Sequence, residues 1–313
     1  MNAPDTAHSH RPRIGIALGS GAARGWAHIG ILRALKEMGV EPEIVSGSSI
    51  GALVGAAYAA GRLQALEEWV SGFSRWGVLR LMDFGLGGMM EAERVMRAYA
   101  ERVPDRAIES LKTTFGAVAT DLASGREVWF TEGGLHEAVR ASIAMPGLIK
   151  PLKVEGHWLV DGGLVDPVPV ALCRALGADR VIAVNLNGDL LTRHHKIRPL
   201  RRGRSDGLME QFTQHFQLLA GTGTRVEPDS PVGVRMLDVL TGAMNIMQDR
   251  ITRSRMAGDP PDLILNPRLG DMALLAFDRG LEAIEAGENC VHLYRAALED
   301  VLGLEPSSSE EEE

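Results

Sequence analysis

Cysteine and long apolar runs are scarce in this chain. Its two cysteines, Cys173 and Cys290, provide neither a disulfide framework nor metal-ligand spacing, and they favour a reducing compartment. No run approaches the roughly 20 apolar residues of a membrane-spanning helix, so any membrane contact is expected to be peripheral. The polar residues 1–13 contain no apolar segment of the kind that signal peptides have. We therefore expect a cytoplasmic protein, with contact at the inner face of the membrane as an open alternative.

Positive charge is also in deficit. The net charge is −8, so nucleic acid is not an expected partner. The length of 313 residues allows one large α/β domain or two ordinary ones, with a sizeable core in either case. These bulk properties agree with an enzyme but do not select its chemistry.

Short apolar strands alternate with helical patterns along most of the chain. Ile14 to Leu18 reads as a strand, and the helix after it has apolar positions at Ile29, Leu32 and Leu35 and a stop at Gly39. The same patterns predict strands near residues 43–45, 115–120, 127–131, 150–160, 180–185 and 262–265, and helices near 52–60, 63–73, 91–102, 136–144, 168–176, 207–257 and 274–302. The order predicts an α/β fold whose parallel or mixed sheet is covered on both faces.

The alternation breaks after residue 186, and this break suggests a division of the chain. We predict a disordered arm, an α/β core, a basic linker or insertion, a C-terminal part with helices and a last strand, and a disordered acidic tail. The corresponding residues are 1–12, 13–186, 187–206, 207–304 and 305–313.

The pentapeptide from Gly47 to Gly51 is the strongest chemical signal. It has the pattern G-x-S-x-G between an apolar run and a helical stretch, which is the context of a nucleophile elbow. The two glycines remove side chains where strand and helix crowd together. Ser49, between them, is then presented outward as a candidate nucleophile.

A second glycine-rich turn follows the first predicted strand, from Gly19 to Gly25. It is not a dinucleotide fingerprint, because Arg24 occupies the third glycine position, and it lacks the Gly-Lys-Ser/Thr of a P-loop. Two interpretations remain. It is either a tight strand-to-helix turn or a nest of backbone N–H groups directed at a developing negative charge.

A serine nucleophile needs a base, and none of the nine histidines follows a late strand as in the usual triad. A better placed group is Asp161, which follows the apolar residues 158–160 and precedes Gly162 and Gly163. The two glycines let another backbone segment approach. An ordinary Asp-Gly-Gly turn is the alternative interpretation.

At this point the motifs resemble those of the patatin-like phospholipases, and most closely the bacterial members related to neuropathy target esterase, of the RssA type. The resemblance covers residues 13–302 and rests on six segments in order: 19–25, 26–30, 47–51, 142–147, 161–163 and 255–262. It implies a three-layer α/β/α fold with a mostly parallel central sheet and a C-terminal helical extension.

The resemblance also implies a mechanism. Ser49 would be the nucleophile and Asp161 the base of a Ser–Asp dyad, with no histidine, metal or cofactor. The reaction would be hydrolysis of a lipid or fatty-acyl ester through an acyl-enzyme. The glycines at positions 47, 51, 162 and 163 would support the two turns.

In the same family the glycine-rich turn forms an oxyanion hole. The backbone amides of Ser20, Gly21 and Ala22 would form it here, flanked by Gly19 and Gly25, with Arg24 beside it. The chain departs from the family pattern because Ser20 and Ala22 stand where glycine is frequent. If those positions require positive φ, their side chains introduce strain.

Two segments bear on the substrate. The apolar residues Met82, Phe84, Leu86, Met89 and Met90 fit either an acyl groove or ordinary helix packing. The segment 193–204 holds six Lys/Arg and two His. It fits either peripheral docking on anionic lipid, at about 1 kcal/mol per basic residue, or a solvated loop.

Two other function classes remain open from the sequence. A regulatory or interaction protein on the same scaffold is one, although such a role would not need both Ser49 and Asp161. An acyltransferase or thioesterase is the other, because a serine acyl-enzyme can pass its acyl group to acceptors other than water.

Overall fold

The structure is a computed structural model that describes residues 11–74, 76–78, 92–188 and 236–304, with the backbone alone for 236–241. Several sequence predictions lie outside these residues. They concern most of the N-terminal arm, the apolar segment 82–90, the basic segment 193–204, the first part of the helix predicted over 207–257, and the acidic tail.

Eight strands form one sheet. Their bounds are β1 Ile14–Leu18, β2 Ile44–Ser48, β3 Thr114–Asp121, β4 Glu127–Phe130, β5 Leu152–Val154, β6 His157–Asp161, β7 Arg180–Val184 and β8 Leu263–Leu265. The strand order is β5-β6-β3-β2-β1-β7-β8, with β4 paired to β3 off this path. The pairs from β3 through β2, β1 and β7 to β8 are parallel, whereas β4, β5 and β6 join by antiparallel pairing. The sheet is therefore mixed, with a parallel centre.

Nine α-helices are described. They are α1 Ala27–Glu37, α2 Ile50–Ala59, α3 Leu63–Ser71, α4 Glu93–Ala100, α5 Leu135–Ser142, α6 Val170–Ala175, α7 Met236–Gly258, α8 Gly280–Leu293 and α9 Arg295–Leu302. The sequence predicts one long terminal helix or a helix pair over 274–302, and the structure has the pair, broken at Tyr294 and beginning at Gly280 rather than at Leu274. None of these helices combines the length and apolar character needed to cross a bilayer.

The parallel central strands β1, β2, β3 and β7 bury both of their faces, as the sequence predicted, whereas β4 and β5 at the antiparallel side do not. Along β1, Ile16 and Leu18 belong to the larger hydrophobic cluster, which includes residues of α1, α2 and α8, while Ala17 belongs to a second cluster with α6. Successive side chains of a strand point to opposite faces. This alternation explains the three-layer α/β/α arrangement, with helices against each face of the sheet.

One register feature positions the site. The consecutive β3 residues Val118 and Ala119 pair with Ser48, the last residue of β2, and with Asp161, the last residue of β6. Both β3 residues also pair with β4. Because β4 occupies one edge of β3 at this level, β2 and β6 must share the other edge. Their carboxyl ends therefore meet end to end.

Candidate active site

Ser49 occupies the sharp turn between β2 and α2. Its backbone has φ +57° and ψ −122°, a conformation that favours glycine. The turn is tight, because a Cβ atom on Gly51 would lie 2.1 Å from the carbonyl oxygen of Leu18. Close approach of β1 thus requires glycine at position 51, and the strained backbone directs the Ser49 side chain to the end of the sheet.

Asp161 lies at the end of β6 and contacts Ser49 directly. The Ser49 Oγ donates a hydrogen bond to Asp161 Oδ2 at 2.5 Å, and the Gly163 N–H donates to Oδ1 at 2.7 Å. Burial raises the pKa of Asp161 to about 6, although both hydrogen bonds act to lower it. Such a carboxylate is a stronger base than a solvated one and is still ionised at neutral pH.

Ser142 holds the backbone of this turn, a contact that the sequence analysis did not assign. The fully buried Ser142 Oγ donates to the carbonyl oxygen of Val118 at 2.6 Å and accepts from the N–H of Ser49 at 2.8 Å. A single hydroxyl thereby links α5, β3 and the turn. The available signal was a serine on the otherwise apolar buried side of the predicted helix.

The glycine-rich turn after β1 requires one correction. The N–H of Ser20 donates to the carbonyl oxygen of Pro167 at 2.8 Å, so this amide is already used. The N–H groups of Gly21 and Ala22 donate no hydrogen bond to any described residue. Ala22 has φ +48°, whereas Ser20 has no positive φ. The anticipated strain is therefore present at one of the two positions, and two donors rather than three are available for an anion.

His28 lies beneath this turn and supports it. Its Nε2 is 2.8 Å from the carbonyl oxygen of Gly19. Because a carbonyl can only accept, Nε2 carries the hydrogen and donates. Burial lowers the pKa of His28 to about 4, so the ring is neutral at physiological pH. His28 is thus a buried packing residue that also holds the turn by a hydrogen bond.

Arg24 is held by two asparagine side chains. The residue is 1% exposed, and its guanidinium donates to the side-chain oxygens of Asn187 at 2.9 Å and Asn245 at 3.0 Å. No carboxylate pairs with it within the described part of the chain, and burial lowers its pKa to about 10. Arg24 remains a cation at neutral pH and links the turn after β1 to the segment that follows β7 and to helix α7.

Two cavities meet at the Ser49 side chain, sharing Ala22 and Met145. One has a volume of about 120 Å³ and is walled almost entirely by apolar side chains. Its wall includes Trp26, Leu53, Trp69, Phe73, Ile149 and Phe277. The other lies between the turn after β1 and helix α7 and has a volume of about 10 Å³, which is room for about one water molecule. The first cavity suits an apolar chain, and the second suits a single small polar group.

The remaining titratable groups give this site no metal centre. In the ranges that the structure describes, no three His, Cys, Asp or Glu side chains are grouped so as to hold a metal ion. His136 and His157 are hydrogen-bonded to Val103 and Asp121, not to Ser49 or Asp161.

Comparison with known proteins agrees with the motifs. The profile of the patatin-like phospholipase family matches residues 16–174. An uncharacterized NTE family protein of Mycobacterium tuberculosis is 34% identical over 324 residues, covering 89% of this chain and 90% of that protein. Lysophospholipase NTE1 of Mycosarcoma maydis is 35% identical over 184 residues, which are 55% of this chain and 10% of that protein. The crystal structure of VipD from Legionella pneumophila aligns over 94% of this chain and 67% of that one, with a TM-score of 0.46 and 12% identity.

Proposed function

This chain belongs to the patatin-like phospholipase family, and we propose that it is a serine acyl hydrolase with a Ser49–Asp161 dyad. The family description and the name of the lysophospholipase relative support lipid hydrolysis. The observation that carries the proposal is the 2.5 Å hydrogen bond from Ser49 Oγ to Asp161 Oδ2. A hydroxyl bonded to a buried carboxylate and exposed to an apolar cavity has the parts needed for nucleophilic attack on an ester.

In the first half of the reaction Ser49 Oγ bonds to the ester carbonyl carbon while its proton passes to Asp161. The carbonyl oxygen becomes an oxyanion and receives hydrogen bonds from the N–H groups of Gly21 and Ala22. Preorganised donors of this kind lower the barrier by about 3–4 kcal/mol each. The intermediate collapses as the bond to the leaving oxygen breaks, and Asp161 returns the proton to that oxygen.

The second half repeats these steps with water. Asp161 takes a proton from water, whose oxygen bonds to the acyl carbon, and the same two amides hold the oxyanion. The bond to Ser49 Oγ then breaks, Asp161 reprotonates the serine, and a fatty acid is released. Asp161 therefore acts alternately as base and acid, which suits a carboxyl whose pKa is raised to about 6.

The substrate class follows from the cavity next to Ser49. Its apolar wall fits an acyl chain, which gains about 0.8 kcal/mol for each CH₂ group removed from water. The name of the Mycosarcoma maydis relative adds support for a phospholipid that carries a single acyl chain. We accordingly propose a fatty-acyl ester of the lysophospholipid type as the preferred substrate.

The test is hydrolysis by purified Ser49→Ala and Asp161→Asn variants. Both are expected to lose at least about a thousandfold in turnover, because each removes a participant in bond making. Fatty acid release from phospholipid, lysophospholipid and acyl-thioester is measured in parallel, and circular dichroism checks folding. Hydrolysis retained by Ser49→Ala would refute the assignment, and preferential cleavage of thioester would redirect it to a thioesterase.

A further inference from the structure

Helix α7 forms a wall of the second cavity beside Ser49. Met244, Asn245 and Gln248 of this helix line that cavity opposite the turn after β1. Helix α7 lies beyond residues 16–174, which match the family profile. The polar side chains of α7 therefore contribute to the site beside the dyad and the two open amides, from outside the segment that the family profile matches.

A chain of hydrogen bonds fixes the orientation of Gln248. Arg24 can only donate, so the Asn187 oxygen that it contacts at 2.9 Å must accept, and the Asn187 amide nitrogen is left as the donor. That nitrogen donates to Gln248 Oε1 at 3.1 Å. Gln248 Nε2 consequently carries the two hydrogens and is directed away from Asn187. The buried cation thus determines which end of the Gln248 amide faces the dyad.

Gln248 Nε2 and the carboxyl group of Asp161 border the same small space beside Gly163. A Cβ atom placed on Gly163 would be 2.6 Å from Gln248 Nε2 and 2.9 Å from Asp161 Oδ1, and Gln248 and Ser49 line the same cavity. Gln248 is also 94% buried, since its exposed fraction is 6%. The Gln248 amide is therefore a buried hydrogen-bond donor in the wall of the second, smaller cavity, on the side of Asp161.

We propose that Gln248 is a further catalytic residue, which donates a hydrogen bond from Nε2 to the oxygen that departs in acylation and enters as water in deacylation. This inference rests on the proposed acyl-enzyme mechanism. The leaving oxygen and the attacking water must both exchange a proton with Asp161, so they occupy the same place. A hydrogen bond from Gln248 Nε2 to the water oxygen would orient the water. One lone pair of that oxygen then points at the acyl carbon while Asp161 accepts a proton from the water.

The rates of acylation and deacylation, measured separately, distinguish a catalytic role of Gln248 from a packing role. A p-nitrophenyl ester releases a stable phenolate, so its leaving oxygen needs no hydrogen-bond donor. The rate at which this ester acylates Ser49 should therefore not depend on Gln248. The rate at which water removes the acyl group should depend on it. In Gln248→Met, which keeps the side-chain length without a donor, we expect the acylation rate to stay within about twofold and steady-state turnover to fall tenfold or more. Mass spectrometry should show acyl-enzyme accumulating on Ser49.

Further variants complete the design. Asn187→Leu removes the orienting bond and is expected to show the same signature to a smaller degree. Ile246→Ala changes an exposed residue two positions earlier on the helix and should leave both rates unchanged. If Gln248→Met slows acylation and deacylation equally, or neither, the inference is wrong. If the wild-type protein forms no acyl-enzyme at all, the proposed function itself fails first.

Discussion

Two strand-to-helix turns lie side by side at the carboxyl ends of β1 and β2, and each contains a residue other than glycine with positive φ, Ala22 at +48° and Ser49 at +57°. Their backbone amides have different partners. The N–H of Ser49 is bonded to the Ser142 hydroxyl, whereas the N–H of Ala22 has no acceptor among the described residues. One turn thus presents a side chain and the other presents its backbone.

The difference shows how a positive φ can present two kinds of chemical group. At Ser49 the amide is bonded to Ser142 and the hydroxyl to Asp161, which leaves the hydroxyl as the nucleophile in the proposed mechanism. At Ala22 the side chain is only a methyl group, and the open amide is the group proposed to bind the oxyanion. Support for this second turn comes from His28, through the carbonyl oxygen of Gly19.

Removal of the anchor should have the largest effect on the first turn. Ser142→Ala leaves the N–H of Ser49 and the carbonyl oxygen of Val118 without their partner in a buried place. We expect kcat to fall about a hundredfold, since a displacement of about 1 Å in a reacting group has that effect, with little change in KM. Ser110→Ala, which removes an exposed hydroxyl, is the matched control. An unchanged kcat in Ser142→Ala would show that the conformation of the turn does not depend on the Ser142 hydroxyl.

The pH dependence should also distinguish the turns, because between pH 5 and 8 only the first has a partner that titrates: His28, which supports the second turn, has a pKa lowered to about 4. In the proposed mechanism Ser49 requires ionised Asp161, whose pKa is raised to about 6, whereas the amides of Gly21 and Ala22 do not titrate. The expected kcat/KM is flat above pH 6 and falls about tenfold per unit below it. A profile that instead follows a group of pKa near 4 would contradict the buried base. Stopped assays between pH 5 and 8 cover the transition.

Glycine substitutions should reveal the strain that the two turns share. Ser49→Gly compared with Ser49→Ala, and Ala22→Gly compared with wild type, each relieve about 1–3 kcal/mol of backbone strain. This relief is offset by about 0.8 kcal/mol for the buried methyl group lost and by about 0.4–1 kcal/mol for the greater entropy of glycine in the unfolded chain. We expect the free energy of unfolding, measured by urea denaturation, to be unchanged or slightly raised in both comparisons. Ala22→Gly should remain active, because its amide is retained. A loss as large as the two costs together, about 1–2 kcal/mol, would show that the turn is not strained.

Much of this arrangement was predictable from local sequence. Strand and helix patterns placed Ser49 and Asp161 each at the end of a strand, and the family resemblance paired them. The end-to-end meeting of β2 and β6 was not predictable, because it depends on two strands sharing one edge of β3 at Val118 and Ala119. Local pattern does not specify the register of long-range pairing.

Two features of the site depend on partners that are distant in sequence. The amide of Ser20 lies in the same turn as those of Gly21 and Ala22, but its acceptor Pro167 comes from a distant loop. The contact of Gln248 with Asn187 spans 61 positions of sequence and belongs to no local motif. Whether a polar group is available depends on partners brought together by the fold, and a motif contains only its own residues.

The burial of Asp161 has a consequence for the whole protein as an acid–base system. A carboxyl whose pKa rises from 3.8 to about 6 on folding binds its proton more tightly in the folded state. Its contribution to folding stability is therefore complete below pH 3.8 and is lost as the pH rises through about 6. Buried Asp166, with a pKa raised to about 7, contributes in the same direction. If the proposed dyad is correct, mild acid has two opposite effects: protonation of Asp161 lowers activity, and protonation of Asp161 and Asp166 stabilises the fold.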